Sequence, residues 1–134
     1  IAVAPGANYS LLPGSIIHFS KVIDEADIIV MQAEIPYETI KRIALLAKQK
    51  GKKVLFNPAP ACLIDEELMK AIDILVVNEL EAAFISGIEY TGNNLEEIIT
   101  GRCTQCCDHI RKSRCIYEKR QRNHSASRIQ SKCD

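Results

Sequence analysis

The amino-acid sequence predicts an α/β fold, the central part of a doubly wound parallel sheet with helices on both faces. Short apolar runs rich in β-branched residues alternate strictly with amphipathic segments of helical period. The runs are continuously apolar, which is typical of strands that helices cover on both faces. Such alternation favours parallel strands that are joined by helical crossovers within one sheet.

The predicted elements form four successive strand–helix pairs. The first apolar run ends at the turn signal Pro5-Gly6, and a small polar loop follows it. Pro13 suits the first turn of a helix, and Gly51 and Gly87 suit the positions after helix ends. The predicted strands are 1–4, 27–31, 54–56 and 72–77, and the predicted helices are 13–24, 37–50, 65–71, 78–86 and one that begins at residue 95.

The overall composition is typical of one globular domain. Of the 134 residues, 47% are hydrophobic and 25% are charged, and 17 basic residues balance 17 acidic ones. The zero net charge gives no reason to expect binding to nucleic acid or to a membrane. No apolar run reaches transmembrane length, and we find no signal peptide, so we expect a cytoplasmic protein. The chain opens on Ile1 within a predicted strand, so we expect it to begin inside a fold.

The pattern breaks at Gly101. We expect a partial α/β domain over residues 1–100, followed by an unstructured or irregular tail over residues 101–134. The tail contains nine Lys and Arg against three Asp and Glu, and it holds five of the six cysteines. Because it has few aliphatic residues, it has little with which to offset the entropy of folding. One interpretation is that the tail is an out-of-frame translation.

The alternative interpretation gives the tail a function. The chain would then be a non-catalytic α/β module whose Cys- and Arg-rich tail binds metal or nucleic acid. Cys103-x-x-Cys106 has the spacing of a zinc half-site, but no second half with matching spacing follows it. The basic residues suit phosphate contacts, but no aromatic platform accompanies them.

Polar residues follow three of the predicted strands: Glu34, Asn57, and Asn78 with Glu81. Right-handed crossovers bring the carboxyl ends of parallel strands to one edge of a sheet, where open α/β sheets bind their ligands. Asn78-x-x-Glu81 is also the pattern of a helix capping box, so both a cap and a site stay open for this pair. The sequence predicts a ligand edge that contains these four residues.

Four segments resemble the ribokinase-like (PfkB) family of sugar kinases and occur in the order of that family. They are Ala4-Pro-Gly-Ala-Asn8, Met31-Gln-Ala-Glu34-Ile-Pro36, Asn57-Pro-Ala-Pro-Ala61 and Val77-Asn-Glu-Leu-Glu81. The resemblance covers residues 1–99. It implies ATP- and Mg²⁺-dependent phosphorylation of a pentose, ribose to ribose 5-phosphate, by full-length relatives that are homodimers.

By this resemblance the four polar residues take separate roles. Glu34 matches the carboxylate that binds the sugar, Asn78 matches an asparagine near the nucleotide phosphates, and Glu81 matches the acid that acts on magnesium through water. Asn57 is placed on the nucleotide side of the same edge. The family's base lies in a Gly-x-Gly-Asp segment that this sequence lacks, and the family's N-terminal sugar-binding part is missing too. We therefore assign no catalytic residue and expect a kinase fragment that is inactive as this chain.

Overall fold

The computed structural model describes residues 6–94, residue 98 and the backbone of residues 114–117. The strands are β1 (Ile28–Gln32), β2 (Lys53–Asn57), β3 (Ile74–Val77) and β4 (Arg114–Tyr117). The α-helices are α1 (Ser20–Glu25), α2 (Tyr37–Gln49), α3 (Glu66–Ala71) and α4 (Glu79–Ser86). Two 3-10 segments, Gly6–Ser10 and Pro13–Phe19, precede α1.

These four strands form one parallel sheet in the order β1-β2-β3-β4. The register pairs Gln32 with Asn57 at the end of β1 and β2. Between β2 and β3 the backbone pairing is shorter and joins Leu55 with Ile74 and Phe56 with Leu75. Because parallel strands all run in one direction, their carboxyl ends lie along the same side of the sheet. We call this side, where β1, β2 and β3 end, the carboxyl edge.

The predicted α/β class, with a parallel sheet and intervening helices, is confirmed. The strands predicted at 27–31, 54–56 and 72–77 are present, with ends shifted by at most two residues. The predicted helix 13–24 begins as a 3-10 segment, and the predicted polar loop after Gly6 is another. The predicted strand 1–4 lies outside the described residues, as does most of the helix predicted from residue 95.

Four residues of the tail that we expected to be irregular form a strand. Residues 114–117 of β4 pair in parallel with β3 over its whole length, so the sheet continues beyond residue 100. Unpaired N–H and C=O groups along an edge strand pair readily with another strand, whatever side chains that strand carries. The side-chain pattern of the sequence therefore did not indicate β4. The other tail residues, with the half-site Cys103-x-x-Cys106, lie outside the described part.

The core lies between the sheet and the helices. Val54 and Phe56 of β2 are fully buried, and Met31 of β1 and Leu75 of β3 are paired in register with Phe56 and are also buried. Ile40 of α2 belongs to the same cluster. Alternate residues of a strand point to opposite faces, so these side chains share the face that the helices cover.

The opposite face of β1 is exposed. Val30 is 64% exposed and Ile28 is 42% exposed, whereas Met31, the residue that follows Val30, is buried. We predicted that β1 is covered on both faces because its run is continuously apolar. In the described part of the chain no element covers Val30, so an apolar run in the sequence does not by itself show burial of both faces.

A half-buried carboxylate fixes the other end of the β2–β3 pair. Asp73 Oδ2 accepts from the Val54 N–H at 3.0 Å, and Asp73 Oδ1 accepts from Lys48 Nζ at 2.9 Å and Lys53 Nζ at 3.3 Å. Burial by itself raises the pKa of Asp73, but these hydrogen bonds and the Lys48 charge outweigh it and hold that pKa below its ordinary value. Asp73 therefore stabilises the fold only while it is ionised.

This gives a pH-dependent prediction for Asp73→Asn. A carboxyl group whose pKa is lowered by folding contributes its full stabilisation above its unfolded pKa and loses it as the pH falls through the folded pKa. We expect the wild-type chain to be more stable than Asp73→Asn by a constant amount from about pH 5 to 8, and the difference to shrink below roughly pH 4. Urea unfolding of both chains across this range measures it. A difference that stays constant down to pH 2 would contradict the prediction.

Candidate functional site

The structure places all four predicted site residues at the carboxyl edge. Glu34 lies in the turn after β1, Asn57 is the last residue of β2, and Asn78 directly follows β3, with Glu81 in the first turn of α4. The loops of this edge are joined, because the Ala33 N–H donates to the Ala59 carbonyl at 3.1 Å. The predicted location of the four residues is therefore observed, and their roles depend on local geometry.

Asn78 and Glu81 form a complete capping box at the start of α4. Asn78 Oδ1 accepts from the Leu80 N–H at 3.0 Å and from the Glu81 N–H at 2.8 Å. In return Glu81 Oε2 accepts from the Asn78 N–H at 2.9 Å. A capping box satisfies donors that a helix start otherwise leaves unpaired. The cap interpretation is thus realised, and it fixes the position of both side chains.

Glu81 is a buried acid at a ligand edge. Glu81 is only 8% exposed, and it is the only charged residue that the described part of the chain buries. Charged groups are almost never buried without a partner, and here the Asn78 N–H and the positive end of the α4 dipole supply one. These partners hold the Glu81 carboxylate at the start of α4.

Asn57 links two strands beyond the end of their backbone pairing. Its Nδ2 donates to the Val76 carbonyl at 3.0 Å, whereas β2 and β3 pair through their backbones only as far as Phe56 and Leu75. Its Oδ1 is buried and has no hydrogen-bond partner in the described part of the chain. A buried acceptor without a partner costs about 1–3 kcal/mol. Stability alone does not favour an asparagine here.

The loop after β2 runs beside the start of α4. Burial raises the pKa of the Cys62 thiol, and the Glu81 carboxylate raises it further, so the two side chains are electrostatic neighbours. Cys62 is partly buried and packs against the core cluster. The sequence did not indicate this electrostatic effect, because nineteen positions separate the two residues and no local pattern connects them.

The far end of that loop is fixed to α2. The Asp65 N–H donates to the Tyr37 hydroxyl at 2.9 Å, and Asp65 Oδ2 accepts from Lys41 Nζ at 2.9 Å. Asp65 also caps α3 by accepting from the Leu68 N–H at 2.8 Å. Both ends of the segment from Asn57 to Asp65 are thereby held, which keeps it at the carboxyl edge.

The chemistry of this edge suits a hydrated divalent cation and an oxygen-rich ligand. Within the described residues no three carboxylate, histidine or thiol groups come together as a dedicated metal cage. Magnesium keeps most of its waters and needs only one or two carboxylates, so Glu81 fits such an ion. The exposed carboxylate of Glu34 adds acceptors for hydroxyl or amide donors.

No family model matches the chain, but individual proteins do. A ribokinase from Staphylococcus aureus is 41% identical over 91 residues, which are 68% of this chain and 30% of that protein. The ribokinase of Thermotoga maritima superimposes with a TM-score of 0.69 at 25% identity and covers 99% of this chain and 44% of its own. The residues described here are homologous to ribokinases. The chain spans about 30% of the length of its ribokinase relative from S. aureus.

A second ribokinase structure supports the same fold. Arabidopsis thaliana ribokinase, which was solved with ribose and ATP, superimposes with a TM-score of 0.75 and covers 97% of this chain and 43% of its own. At 20% identity this likeness speaks for the fold alone. The ribokinase homology supports a sugar-kinase fragment and gives no support to the alternative of a metal- or nucleic-acid-binding module. No described helix has the length and apolarity to cross a membrane.

Proposed function

We propose that this chain is part of an ATP-dependent sugar kinase that transfers a phosphoryl group to a pentose such as ribose. The observation that carries the proposal is the carboxyl edge itself, where an exposed carboxylate, a capped helix start and a buried acid follow three adjacent strands of a ribokinase-like fold. A kinase needs to position a hydroxyl and a nucleotide against each other and to neutralise phosphate charge. These residue types suit those tasks, and such a kinase would work in the cytoplasm.

We assign the sugar side to Glu34 and the nucleotide side to Asn78, Asn57 and Glu81. Glu34 is exposed in its turn, so its carboxylate is able to accept hydrogen bonds from sugar hydroxyls. Glu81 would hold the water shell of Mg²⁺, and Mg²⁺ bound with the nucleotide neutralises charge on the phosphate oxygens. Asn78 keeps the start of α4, with its positive dipole end, ordered beside those oxygens.

We further propose that the chain binds ligands without turning them over. By the family resemblance the base lies in a Gly-x-Gly-Asp segment, and this sequence has no such segment. Without a positioned base, phosphoryl transfer loses one of its principal contributions. The chain then consists of a partial kinase domain over residues 1–100 and a separate tail, of which β4 joins the sheet.

Ligand titration followed by amide NMR shifts tests this assignment, since it detects weak binding. Mg·ADP is expected to shift the amides of Asn78 and Glu81, and ribose those around Glu34. We expect Asn78→Ala to weaken Mg·ADP binding and Glu34→Gln to weaken ribose binding, each by about 10-fold or more, as for loss of a hydrogen bond to a charged group.

Two matched variants serve as controls. Asn94→Ala removes another asparagine that braces a turn, through the Thr91 N–H and the Glu89 carbonyl, away from the carboxyl edge. Glu38→Gln removes an exposed acid four residues after Glu34. Both are expected to bind like the wild-type chain. If neither Mg·ADP nor ribose shifts any amide of the carboxyl edge, the proposed function is wrong for this chain.

A further inference from the structure

The end of β3 determines where α4 begins. Val76 lies two residues before Asn78, and the Val76 carbonyl accepts from Asn57 Nδ2 of β2. The chain then passes through Asn78, whose φ of −90° and ψ of 176° turn it from strand to helix. A change in the direction of the Val76 peptide would therefore rotate the start of α4 and the side chains of its capping box.

The β2–β3 pair depends on side chains at both of its ends. Backbone pairing joins Leu55–Phe56 to Ile74–Leu75, and the Asp73 N–H donates to the Val54 carbonyl at 2.9 Å. Asp73 closes the amino end by accepting from the Val54 N–H, and Asn57 closes the carboxyl end by donating to the Val76 carbonyl. The two closures differ in one respect. Both carboxylate oxygens of Asp73 accept hydrogen bonds, whereas the buried Asn57 Oδ1 has no partner among the described residues. The Asn57 amide is thus retained at a cost to the fold.

We propose that Asn57 is a positioning residue, whose bond to the Val76 carbonyl sets the direction of α4 and so holds Asn78 and Glu81 in place for the nucleotide. This inference rests on the proposed function for its effect on binding, but its structural part stands without it. Asn57 then contributes to nucleotide binding through its neighbours, even if it makes no ligand contact itself. Its orphaned acceptor is the consequence of using an amide where only the donor is needed.

Asn57→Leu separates positioning from stability. Leucine has a similar shape and removes the orphaned Asn57 Oδ1, but it also leaves the Val76 carbonyl without its Asn57 donor. Because one unpaired acceptor replaces another, the variant is expected to keep a urea midpoint close to that of the wild-type chain. Its affinity for Mg·ADP is expected to fall by about 10-fold, which corresponds to the loss of about one hydrogen bond. The matched control is Asp73→Asn at the other end of the same pair, which is expected to lose stability and to keep Mg·ADP affinity within about twofold.

Amide hydrogen exchange decides the structural part in the absence of nucleotide. In Asn57→Leu the Leu80 and Glu81 amides are expected to exchange about 10-fold faster than in the wild-type chain, while the Ala44 amide in α2 is unchanged. Unchanged exchange at Leu80 and Glu81, with unchanged Mg·ADP affinity, would overturn the proposal. If the wild-type chain binds no Mg·ADP at all, the proposed function fails, and the exchange result still decides whether Asn57 positions α4.

One measurement needs only the wild-type chain, and a second variant complements it. In the wild-type chain the Asn57 side-chain amide protons are expected to be protected from exchange, because one of them is bonded to the Val76 carbonyl. Asn57→Asp, which keeps the shape but has no donor, is expected to behave like Asn57→Leu at Leu80 and Glu81. Rapid exchange of the Asn57 side-chain amide in the wild-type chain would overturn the proposal, even if neither variant folds.

Discussion

Phe56→Ala is expected to lower the free energy of unfolding by about 3–5 kcal/mol, the largest loss that any single truncation in the described core would produce. Phe56 is fully buried in the middle of β2, and its register neighbours Met31 and Leu75 are buried beside it. Alanine would leave a cavity there that the rigid sheet cannot close, so both the transfer energy and the packing contacts are lost. Urea unfolding followed by circular dichroism measures the change.

The matched control is Phe84→Ala on α4. Phe84 is 49% exposed, so its truncation removes far less buried surface and is expected to cost less than about 1 kcal/mol. Because Phe56 immediately precedes Asn57, the core variant is also expected to weaken any ligand response of the carboxyl edge. If both substitutions cost the same, Phe56 is not buried in solution as the fold requires.

Glu81→Gln is expected to remove the magnesium dependence of nucleotide binding and to leave the helix cap in place. Glutamine keeps an oxygen that is able to accept from the Asn78 N–H, so the capping box survives, but the negative charge is lost. In the wild-type chain Mg²⁺ is expected to strengthen ADP binding by about 10- to 100-fold, the range that loss of an outer-shell partner of a metal typically costs. In the variant Mg²⁺ is expected to leave the affinity for ADP unchanged. Calorimetric titration with ADP, with and without Mg²⁺, measures the gain.

Glu79→Gln is the control for charge at the same helix start. Glu79 lies in the first turn of α4, as Glu81 does, but it takes no part in the capping box. It is expected to keep the magnesium dependence almost unchanged. A Glu81→Gln chain that responds to Mg²⁺ as the wild type does would reduce Glu81 to a structural role at the helix cap.

Much of this fold could be predicted because its signals are local. The turns at Gly51 and Gly87, both with positive φ, and the apolar runs of β1, β2 and β3 mark their elements without reference to the rest of the chain. The burial of β1 could not be predicted in this way, because exposure of Val30 depends on what lies across the sheet. β4 was not predicted for a related reason, because its place in the sheet comes from backbone pairing with β3.

In the candidate site, too, the local features could be predicted from the sequence and the tertiary ones could not. The capping box of Asn78 and Glu81 is a short-range pattern, so the sequence predicted both its residues and its alternative role. The position of Glu34 and Asn57 at the same edge followed from topology. The bond from Asn57 to Val76 and the closeness of Cys62 to Glu81 join residues about nineteen positions apart and belong to the tertiary fold alone.

The placement of Cys62 beside Glu81 also has a consequence for chemical durability. The thiolate is the form of cysteine that reacts with oxidants and alkylating agents, and burial together with the Glu81 carboxylate raises the pKa of Cys62 and disfavours that form. The Glu81 carboxylate thereby makes the Cys62 thiol of the adjoining loop less ready to react. The same neighbour relation makes Cys62 alkylation a reporter of charge at the edge, because a cation at Glu81 would speed the reaction.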